Sequence, residues 1–293
     1  MRHEREDAVT SPHPLITAEE LETSIGNSDL RVVDCRFELL RPLAGRSNYL
    51  QGHIPGAVFA DLDRDLAAPT GPATGRHPLP EPAELAGTFG RFGIGAETHV
   101  VVYDDCNGAL AARAWWLLRW LGHERVFLLE GGIKRWQRLQ LPLEAGTVQV
   151  PTRAFDPAPR NDLILQTQEI VAAGRQGKQL RLVDARDAAR FRGEVEPIDA
   201  VAGHVPGAIN LPFGECLNED GTWKEKEDLI RTWRKVLGDD RDAPWNVMCG
   251  SGVTACHLVI SGQLAGRREP RLYVGSWSEW IADPQRAIAT GAA

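Results

Sequence analysis

The segment from Cys249 to Thr254, which reads Cys-Gly-Ser-Gly-Val-Thr, has the residue types of a nucleophilic thiol site. It follows the short apolar run 246–248 and precedes an apolar stretch that predicts a helix. Two glycines in four residues let the backbone curl so that several N–H groups point at one place. Together with the positive end of the helix, these groups stabilise a thiolate or a bound sulfur that carries negative charge. The alternative is an inert thiol, because free cysteines are usually buried.

An internal repeat places this segment within the chain. Three pairs of similar segments occur in the same order and at nearly constant spacing: Leu30-Arg-Val-Val-Asp34 with Leu180-Arg-Leu-Val-Asp184, Gly52-His-Ile-Pro-Gly-Ala57 with Gly203-His-Val-Pro-Gly-Ala208, and Gly131-Gly-Ile-Lys-Arg-Trp136 with Gly275-Ser-Trp-Ser-Glu-Trp280. The chain has 293 residues, which is roughly twice the length of an average domain. We therefore predict a tandem duplication of one domain-sized unit.

Both halves alternate short apolar runs with helical patterns. The runs that predict buried strands are 31–34, 99–103 and 125–129 in the first half and 180–184, 246–248 and 271–274 in the second. In 82–92 and 109–121, apolar residues recur every three or four positions, which predicts helices. Such alternation is typical of right-handed βαβ units. The predicted fold class is α/β, with two tandem domains that each have a mainly parallel sheet flanked by helices on both faces.

The two copies are expected to differ in chemistry. We predict an N-terminal domain over residues 1–145, a proline-bearing linker over 146–162 and a C-terminal domain over 163–293. The repeat aligns Asp104 with Cys249, and a carboxylate cannot perform thiolate chemistry. Cys106 lies beside Asp104 and Asp105, whose charges would raise the pKa of its thiol. The N-terminal copy is therefore predicted to be catalytically inactive.

The tandem copies, the two Gly-His-(Ile or Val)-Pro-Gly phrases and the segment 249–255 together resemble the two-domain rhodanese-type sulfurtransferases, the thiosulfate and 3-mercaptopyruvate sulfurtransferase family. The similarity extends from about residue 15 to residue 283. It implies an enzyme in which Cys249 takes a sulfane sulfur from a small anionic donor, holds it as a persulfide and passes it to a thiol or cyanide. Gly250 and Ser251 are uncharged and resemble the 3-mercaptopyruvate branch, whereas thiosulfate-preferring relatives place basic residues after the cysteine.

The resemblance implies catalytic roles for further residues. Ser251 matches a serine that relays protons near the cysteine, and Asp63 matches a first-domain carboxylate that pairs with that serine. His77 resembles a first-domain histidine that lines the same cleft. The plainer alternatives are a turn residue for Ser251, a solvated loop acid for Asp63 and an exposed loop histidine for His77.

Donor binding is expected from the loop and from arginine. Arg190 matches the family arginine that holds the anionic end of the donor, since a guanidinium offers a bidentate fork to a carboxylate. Arg186 is the other candidate, although pairing with a carboxylate in support of the fold is the favoured role for it. Ile198 stands where mercaptopyruvate enzymes commonly have a second anchoring arginine, which weakens the case for that donor. The loop residues expected to bind the donor are Gly250, Gly252, Val253 and Thr254.

Several alternatives follow from the same cysteine. The chain could be a thiosulfate:cyanide sulfurtransferase, or a non-enzymatic persulfide carrier or redox sensor. A cysteine phosphatase of this fold would need Cys-x5-Arg, but residue 255 is alanine, so that activity is excluded. Cys256 is expected to be a packed core thiol, with resolution of an oxidised Cys249 as its alternative role.

Composition bounds the partners. The 33 Lys and Arg residues against 40 Asp and Glu give a net charge of -7, so neither nucleic acid nor a membrane is expected as a partner. The five cysteines are too few and too widely spaced for a disulfide framework, and they contain no CxxC pair, which argues against a structural zinc site. No metal or cofactor is expected. Residues 1–14 lack the apolar core of a signal peptide, which predicts a cytoplasmic location. The expected partners are a small-molecule sulfur donor and a thiol acceptor, either thioredoxin or a low-molecular-weight thiol.

Overall fold

The first repeat folds around five parallel strands in a computed structural model that describes residues 13–292. Its strands are β1 (Leu15–Ile16), β2 (Leu30–Asp34), β3 (Val58–Phe59), β4 (His99–Tyr103) and β5 (Val126–Leu129). Across the sheet they lie in the order β1-β5-β4-β2-β3. Its helices are α1 (Ala18–Ser24), α2 (Ala44–Gln51), α3 (Pro82–Arg91), α4 (Ala111–Trp120) and α5 (Gly132–Arg138).

The second repeat has a smaller sheet of four parallel strands. Its strands are β6 (Leu182–Asp184), β7 (Ile209–Asn210), β8 (Asn246–Met248) and β9 (Arg271–Leu272), in the order β7-β6-β8-β9. Its helices are α6 (Thr167–Arg175), α7 (Ala188–Phe191), α8 (Lys226–Leu237), α9 (Ala255–Leu264) and α10 (Ser276–Trp280). Short 3₁₀ turns cover Asn161–Leu163 and Phe213–Cys216.

Both faces of the first sheet are covered by apolar clusters. Along β4, Val100 and Val102 pack into one cluster, whereas Val101 and Tyr103 pack into another. Successive strand residues point to opposite faces, so a strand that is apolar at every position belongs in the middle of a covered sheet. The prediction of an α/β fold with two tandem domains and helices around parallel sheets is confirmed.

The two domains share one apolar core. Helix α4 of the first domain packs against α9 of the second, and a single cluster of buried side chains contains Trp115 and Trp116 from α4 and Leu258 from α9. At the edge of this contact, Arg119 Nη2 lies 3.2 Å from a carboxylate oxygen of Glu269. Helix α9, which follows the segment Cys249–Thr254, is thus packed directly on the N-terminal domain.

The predicted bounds of the long helices agree closely with the structure, whereas several short edge strands were missed. The helix predicted over 82–92 runs from Pro82 to Arg91, and the one predicted over 109–121 runs from Ala111 to Trp120. The two-residue strands β1, β3 and β7 were not predicted. No helix of the described residues is long and apolar enough to cross a membrane. Of residues 1–14, on which the cytoplasmic prediction rests, all but the last two lie outside the described residues.

Candidate functional site

The loop from Cys249 to Thr254 joins the carboxyl end of β8 to the start of α9. Its backbone is fixed to the start of α10: the Cys249 N–H donates to Ser276 Oγ (3.0 Å), and the Cys249 carbonyl accepts from the Trp277 N–H (3.0 Å). Gly252 has φ +75°, and a Cβ there would lie 2.2 Å from the Val274 carbonyl oxygen. Only glycine fits this position, both for its backbone conformation and for the space.

The loop amides are free to bind an anion. Within the described residues, the N–H groups of positions 250–254 donate to no protein acceptor. Buried amides without a partner are rare in folded proteins, because each one costs free energy. Cys249 itself is buried, with 1% of its surface exposed. A negatively charged sulfur on Cys249 would therefore lie among N–H donors that have no protein acceptor, and beside the start of α9.

The first domain shows what this type of loop does when an anion is built in. The carboxylate of Asp104 follows β4 as Cys249 follows β8, and it is 1% exposed. Its two oxygens accept four backbone hydrogen bonds of 2.8 to 2.9 Å, from the amides of Cys106, Gly108, Leu110 and Ala111. The cradle in the first domain is therefore filled by its own side chain.

His77 connects the N-terminal domain to the active loop. Its Nδ1 lies 2.8 Å from Ser251 Oγ, and its Nε2 lies 3.2 Å from an Asp63 carboxylate oxygen. Burial lowers the pKa of His77 to about 3, with smaller contributions from the charges of Arg113 and Arg76, so the ring is neutral. Asp63 can only accept a hydrogen bond, so we assign the ring proton to Nε2. Nδ1 is then the acceptor for the Ser251 hydroxyl.

The arrangement corrects the expected pairing of Asp63 with Ser251. Asp63 does not reach the serine; His77 lies between them, and the three side chains form a chain in the order Asp63, His77, Ser251. Burial, together with the nearby charge of Asp61, raises the pKa of Asp63. His77 was expected only to line the cleft, but the structure places it at the centre of this relay.

A cleft of about 160 Å³ opens above the loop. Residues of both domains line it, among them Phe37, Arg76, His77, Arg190, Ile198, Cys249, Gly250, Ser251, Val253 and Thr254. Its volume suits a donor of a few non-hydrogen atoms rather than a nucleotide. A second cleft of about 440 Å³ lies on the C-terminal domain between Ile170 and Arg286, and no cysteine, serine or histidine lines it.

The two candidate arginines lie in different surroundings. Arg190 lines the cleft, and Glu196 accepts hydrogen bonds from its Nε (3.1 Å) and Nη2 (2.8 Å). Arg186 does not line the cleft, so the structure does not support its expected part in donor binding. It is 3% exposed, forms a bidentate pair with Asp184 and stacks at 4.8 Å over the ring of Trp277. These partners hold the guanidinium in the fold.

Two further arginines were not found from the sequence. Arg76 precedes His77 and lines the cleft from the N-terminal domain. Arg113 on α4 is fully buried, and it donates to the carbonyl oxygens of Gly252 (3.2 Å) and His77 (3.3 Å). Burial lowers the pKa of Arg113, whereas the thiols of Cys256 and Cys249 act in the opposite direction. An arginine within the apolar stretch 109–121 was the available signal for this buried charge.

The other cysteines are unsuited to thiolate chemistry. Burial raises the pKa of Cys256 to about 12 and that of Cys216 to about 11. Burial and the charge of Asp104 raise the pKa of Cys106 well above its ordinary value, in the direction expected from its acidic neighbours. Burial and the charge of Asp34 likewise raise the pKa of the Cys35 thiol. Among the described cysteines, Cys249 is the one that lines the cleft.

A duplicated α/β domain with one intact cysteine loop defines the class of two-domain sulfurtransferases. The sequence matches the family model of the Rhodanese-like domain twice, over residues 17–139 and 167–283. The chain therefore belongs to the rhodanese family, and the predicted resemblance is confirmed.

Individual relatives cover nearly the whole chain. The protein is 48% identical over 94% of its length to a probable 3-mercaptopyruvate sulfurtransferase of Pseudomonas aeruginosa, of which 98% is covered. It is 41% identical over 95% of its length to SseB of Mycobacterium tuberculosis, a putative thiosulfate sulfurtransferase covered to 98%. Among solved structures, SseA from Escherichia coli, described as a 3-mercaptopyruvate sulfotransferase, superposes with a TM-score of 0.79 at 35% identity and covers 91% of this chain and 99% of its own.

Proposed function

We propose that the protein is a 3-mercaptopyruvate sulfurtransferase in which Cys249 takes the sulfur atom of the donor and holds it as a persulfide. The observation that carries this proposal is the relay from Ser251 through His77 to Asp63, which ends in the same cleft as Cys249. The name of the relative in Pseudomonas aeruginosa supports the same donor. A persulfide formed in one half-reaction and discharged in a second gives ping-pong kinetics.

The relay supplies what the cleavage of a carbon–sulfur bond needs. The Cys249 thiol gives its proton to Ser251, while the Ser251 hydroxyl proton passes to Nδ1 of His77. The thiolate then attacks the donor sulfur; a sulfur–sulfur bond forms as the carbon–sulfur bond breaks, and the electron pair leaves on carbon as the enolate of pyruvate. The enolate takes the proton back through Ser251 and becomes pyruvate. Asp63 stabilises the imidazolium while it exists.

The same requirement separates mercaptopyruvate from thiosulfate. Attack on thiosulfate releases sulfite, which is a stable anion and needs no proton on leaving. A thiosulfate site instead needs positive charge close to the cysteine, because the departing group carries most of the charge. Gly250 and Ser251, which follow Cys249, are uncharged. Arg76 and Arg190 bring positive charge to the same cleft, but both are paired with Asp199. It is therefore the built-in proton relay that favours the keto acid.

The sulfur acceptor is proposed on the sequence alone. A thiolate of a low-molecular-weight thiol or of thioredoxin attacks the outer sulfur of the persulfide and leaves with it, which restores Cys249. Cyanide accepts the same sulfur as thiocyanate. A cytoplasmic location fits such reduced thiols and stays a prediction from residues 1–14.

A side-by-side measurement of kcat/KM for 3-mercaptopyruvate and thiosulfate tests the proposal, with dithiothreitol and then cyanide as acceptor. We expect mercaptopyruvate to be preferred by about 100-fold or more, because the proton relay helps only the donor whose leaving group must be protonated. Cys249→Ser is the control and should turn over neither donor. A preference for thiosulfate would overturn the choice of donor. A single stoichiometric sulfur transfer without turnover would instead indicate a persulfide carrier.

A further inference from the structure

Two guanidinium groups from different domains stand over the residue that follows the nucleophile. A Cβ placed on Gly250 would lie 2.9 Å from Arg76 Nη2 and 3.7 and 3.8 Å from Arg190 Nη2 and Nη1. Arg76 comes from the N-terminal domain, and Arg190 ends the first turn of α7 in the C-terminal domain. Both line the cleft that contains Cys249.

The backbone around Arg76 is seated on the C-terminal domain. The Arg76 N–H donates to Ser278 Oγ (3.1 Å). A Cβ at Gly75 would lie 2.5 Å from the Gly275 carbonyl oxygen and 2.9 Å from Ser278 Oγ. The two segments of the chain are therefore in direct contact here. The position of Arg76 is therefore set by the second domain as well as by its own loop.

One carboxylate holds the two guanidinium groups side by side. Oδ1 of Asp199 pairs with Arg76 Nη1, and its Oδ2 accepts from Arg190 Nη2 at 3.0 Å. The Asp199 side chain is 3% exposed, and its backbone N–H donates to Glu196 Oε1 at 3.1 Å. Glu196 occupies the Nε and Nη2 donors of Arg190 and lies 3.6 Å from Arg186 Nη1. Asp199 and Glu196 thus occupy the donors on one side of each cleft arginine and fix the orientation of its guanidinium group.

The remaining N–H donors of the two arginines have no acceptor among the described residues. Arg76 Nε is buried and, within the described residues, has no hydrogen-bond partner. In the same part of the chain, no acceptor is recorded for Arg76 Nη2 or for Arg190 Nη1. Because Asp199 and Glu196 balance the two arginines, the cluster attracts an anion through directed donors rather than through net charge. The guanidinium fork matches a carboxylate in geometry and can bind it through two hydrogen bonds.

We propose that Arg76 is a donor-anchoring residue contributed by the N-terminal domain, and that it binds the carboxylate of the donor together with Arg190. The inference rests on the proposed function for the identity of the donor. Ile198, which also lines the cleft, brings no charge, so Arg76 supplies the second cation of the site. Donor binding then requires both domains, and the domain interface becomes part of the specificity pocket.

The test is steady-state kinetics of Arg76→Ala with 3-mercaptopyruvate. We expect KM to rise about 10- to 100-fold, as for the loss of a charge-assisted hydrogen bond, and kcat to change by less than about threefold. Arg76→Lys, which keeps the charge without the fork, should fall between the two. Arg125→Ala removes an exposed arginine of the same domain, 48% of whose side chain is accessible, and should leave KM unchanged.

A second readout separates anchoring from damage to the neighbouring His77. Transfer of sulfur from the preloaded persulfide to dithiothreitol does not involve the donor carboxylate, so its rate in Arg76→Ala should equal that of the wild type. An unchanged KM in Arg76→Ala, alongside a raised KM in Arg190→Ala, would overturn the role of Arg76 and leave the proposed function standing. Equal losses in both half-reactions would also overturn it. No turnover of mercaptopyruvate by the wild-type protein would overturn the proposed function itself.

Discussion

The loop after β4 and the loop after β8 occupy the same place in two copies of one fold, but among the described residues only the first is filled by an anion. In the first, four amides close on the carboxylate of Asp104. In the second, the amides of 250–254 have no acceptor among the described residues, and a cysteine replaces the aspartate. The first loop binds a carboxylate of its own domain, and the second leaves the corresponding amides without a protein acceptor, as the proposed persulfide requires.

The surroundings of the two loops differ in the same sense. Ser251 in the second loop contacts His77 and, through His77, is connected to Asp63. In the first loop, burial and the neighbouring acidic residues raise the pKa of the Cys106 thiol. Arg113 of the first domain donates to the carbonyl of Gly252 and brings a buried positive charge beneath the second loop. The N-terminal domain therefore supplies groups to the Cys249 loop across the interface.

The sharpest way to test the comparison is to give the second loop the anion of the first. Cys249→Asp should have no turnover, because it has lost the nucleophile, and its new carboxylate should accept hydrogen bonds from the free amides. We therefore expect its Tm to be higher than that of Cys249→Ser, which is the uncharged control. Thermal unfolding followed by circular dichroism measures both. A Tm of Cys249→Asp below that of the serine variant would show that the second loop is no anion cradle.

A smaller loss is expected when the relay of the second loop is broken. His77→Ala should lower kcat for mercaptopyruvate about 100-fold, within the usual range for a proton-transferring group. Because burial lowers the pKa of His77 to about 3, the ring binds a proton less readily than an ordinary histidine and is neutral at any pH well above that value. Lowering the pH from about 8 to about 5 should therefore remove no activity through His77, although an ordinary histidine titrates near 6.5.

One pH profile would contradict the neutral state assigned to His77. A fall in kcat/KM centred near pH 6.5 in the wild type, absent from His77→Ala, would show that the buried ring titrates normally. Phe37→Ala is not a suitable control, since its ring lies against His77. Arg125→Ala is the matched variant, since Arg125 is exposed and does not line the cleft, and it should keep the wild-type profile.

The sequence was sufficient for the fold and for the loop that holds Cys249 because both are local patterns. Strand β8, Cys249 and the glycines that follow are consecutive, and the repeat marks what the first copy has lost. Of the two-residue edge strands, β9 lies within the predicted run 271–274, whereas β1, β3 and β7 carry too little periodicity to be recognised. Arg186 was a candidate donor ligand, but the role favoured for it was pairing with a carboxylate, and Asp184, two residues before it, is that partner.

Contacts between the domains were the part that the sequence could not provide. His77 and Ser251 are 174 residues apart, and Arg76 and Asp199 are 123 residues apart. No spacing rule connects such pairs, because their distance depends on how α4 packs against α9. The order of the relay, with His77 in its middle, and the arrival of Arg76 over Gly250 are both consequences of that packing.

Peptide mass spectrometry after incubation with 3-mercaptopyruvate, without any acceptor, tests most directly whether the second loop alone holds the transferred sulfur. Digestion under non-reducing conditions should show the mass of one added sulfur atom on the peptide that contains Cys249. The peptides of Cys35, Cys106 and Cys216 should be unmodified, since burial raises the pKa of each thiol. Added sulfur on Cys106, or a Cys249 peptide of unchanged mass, would contradict the account.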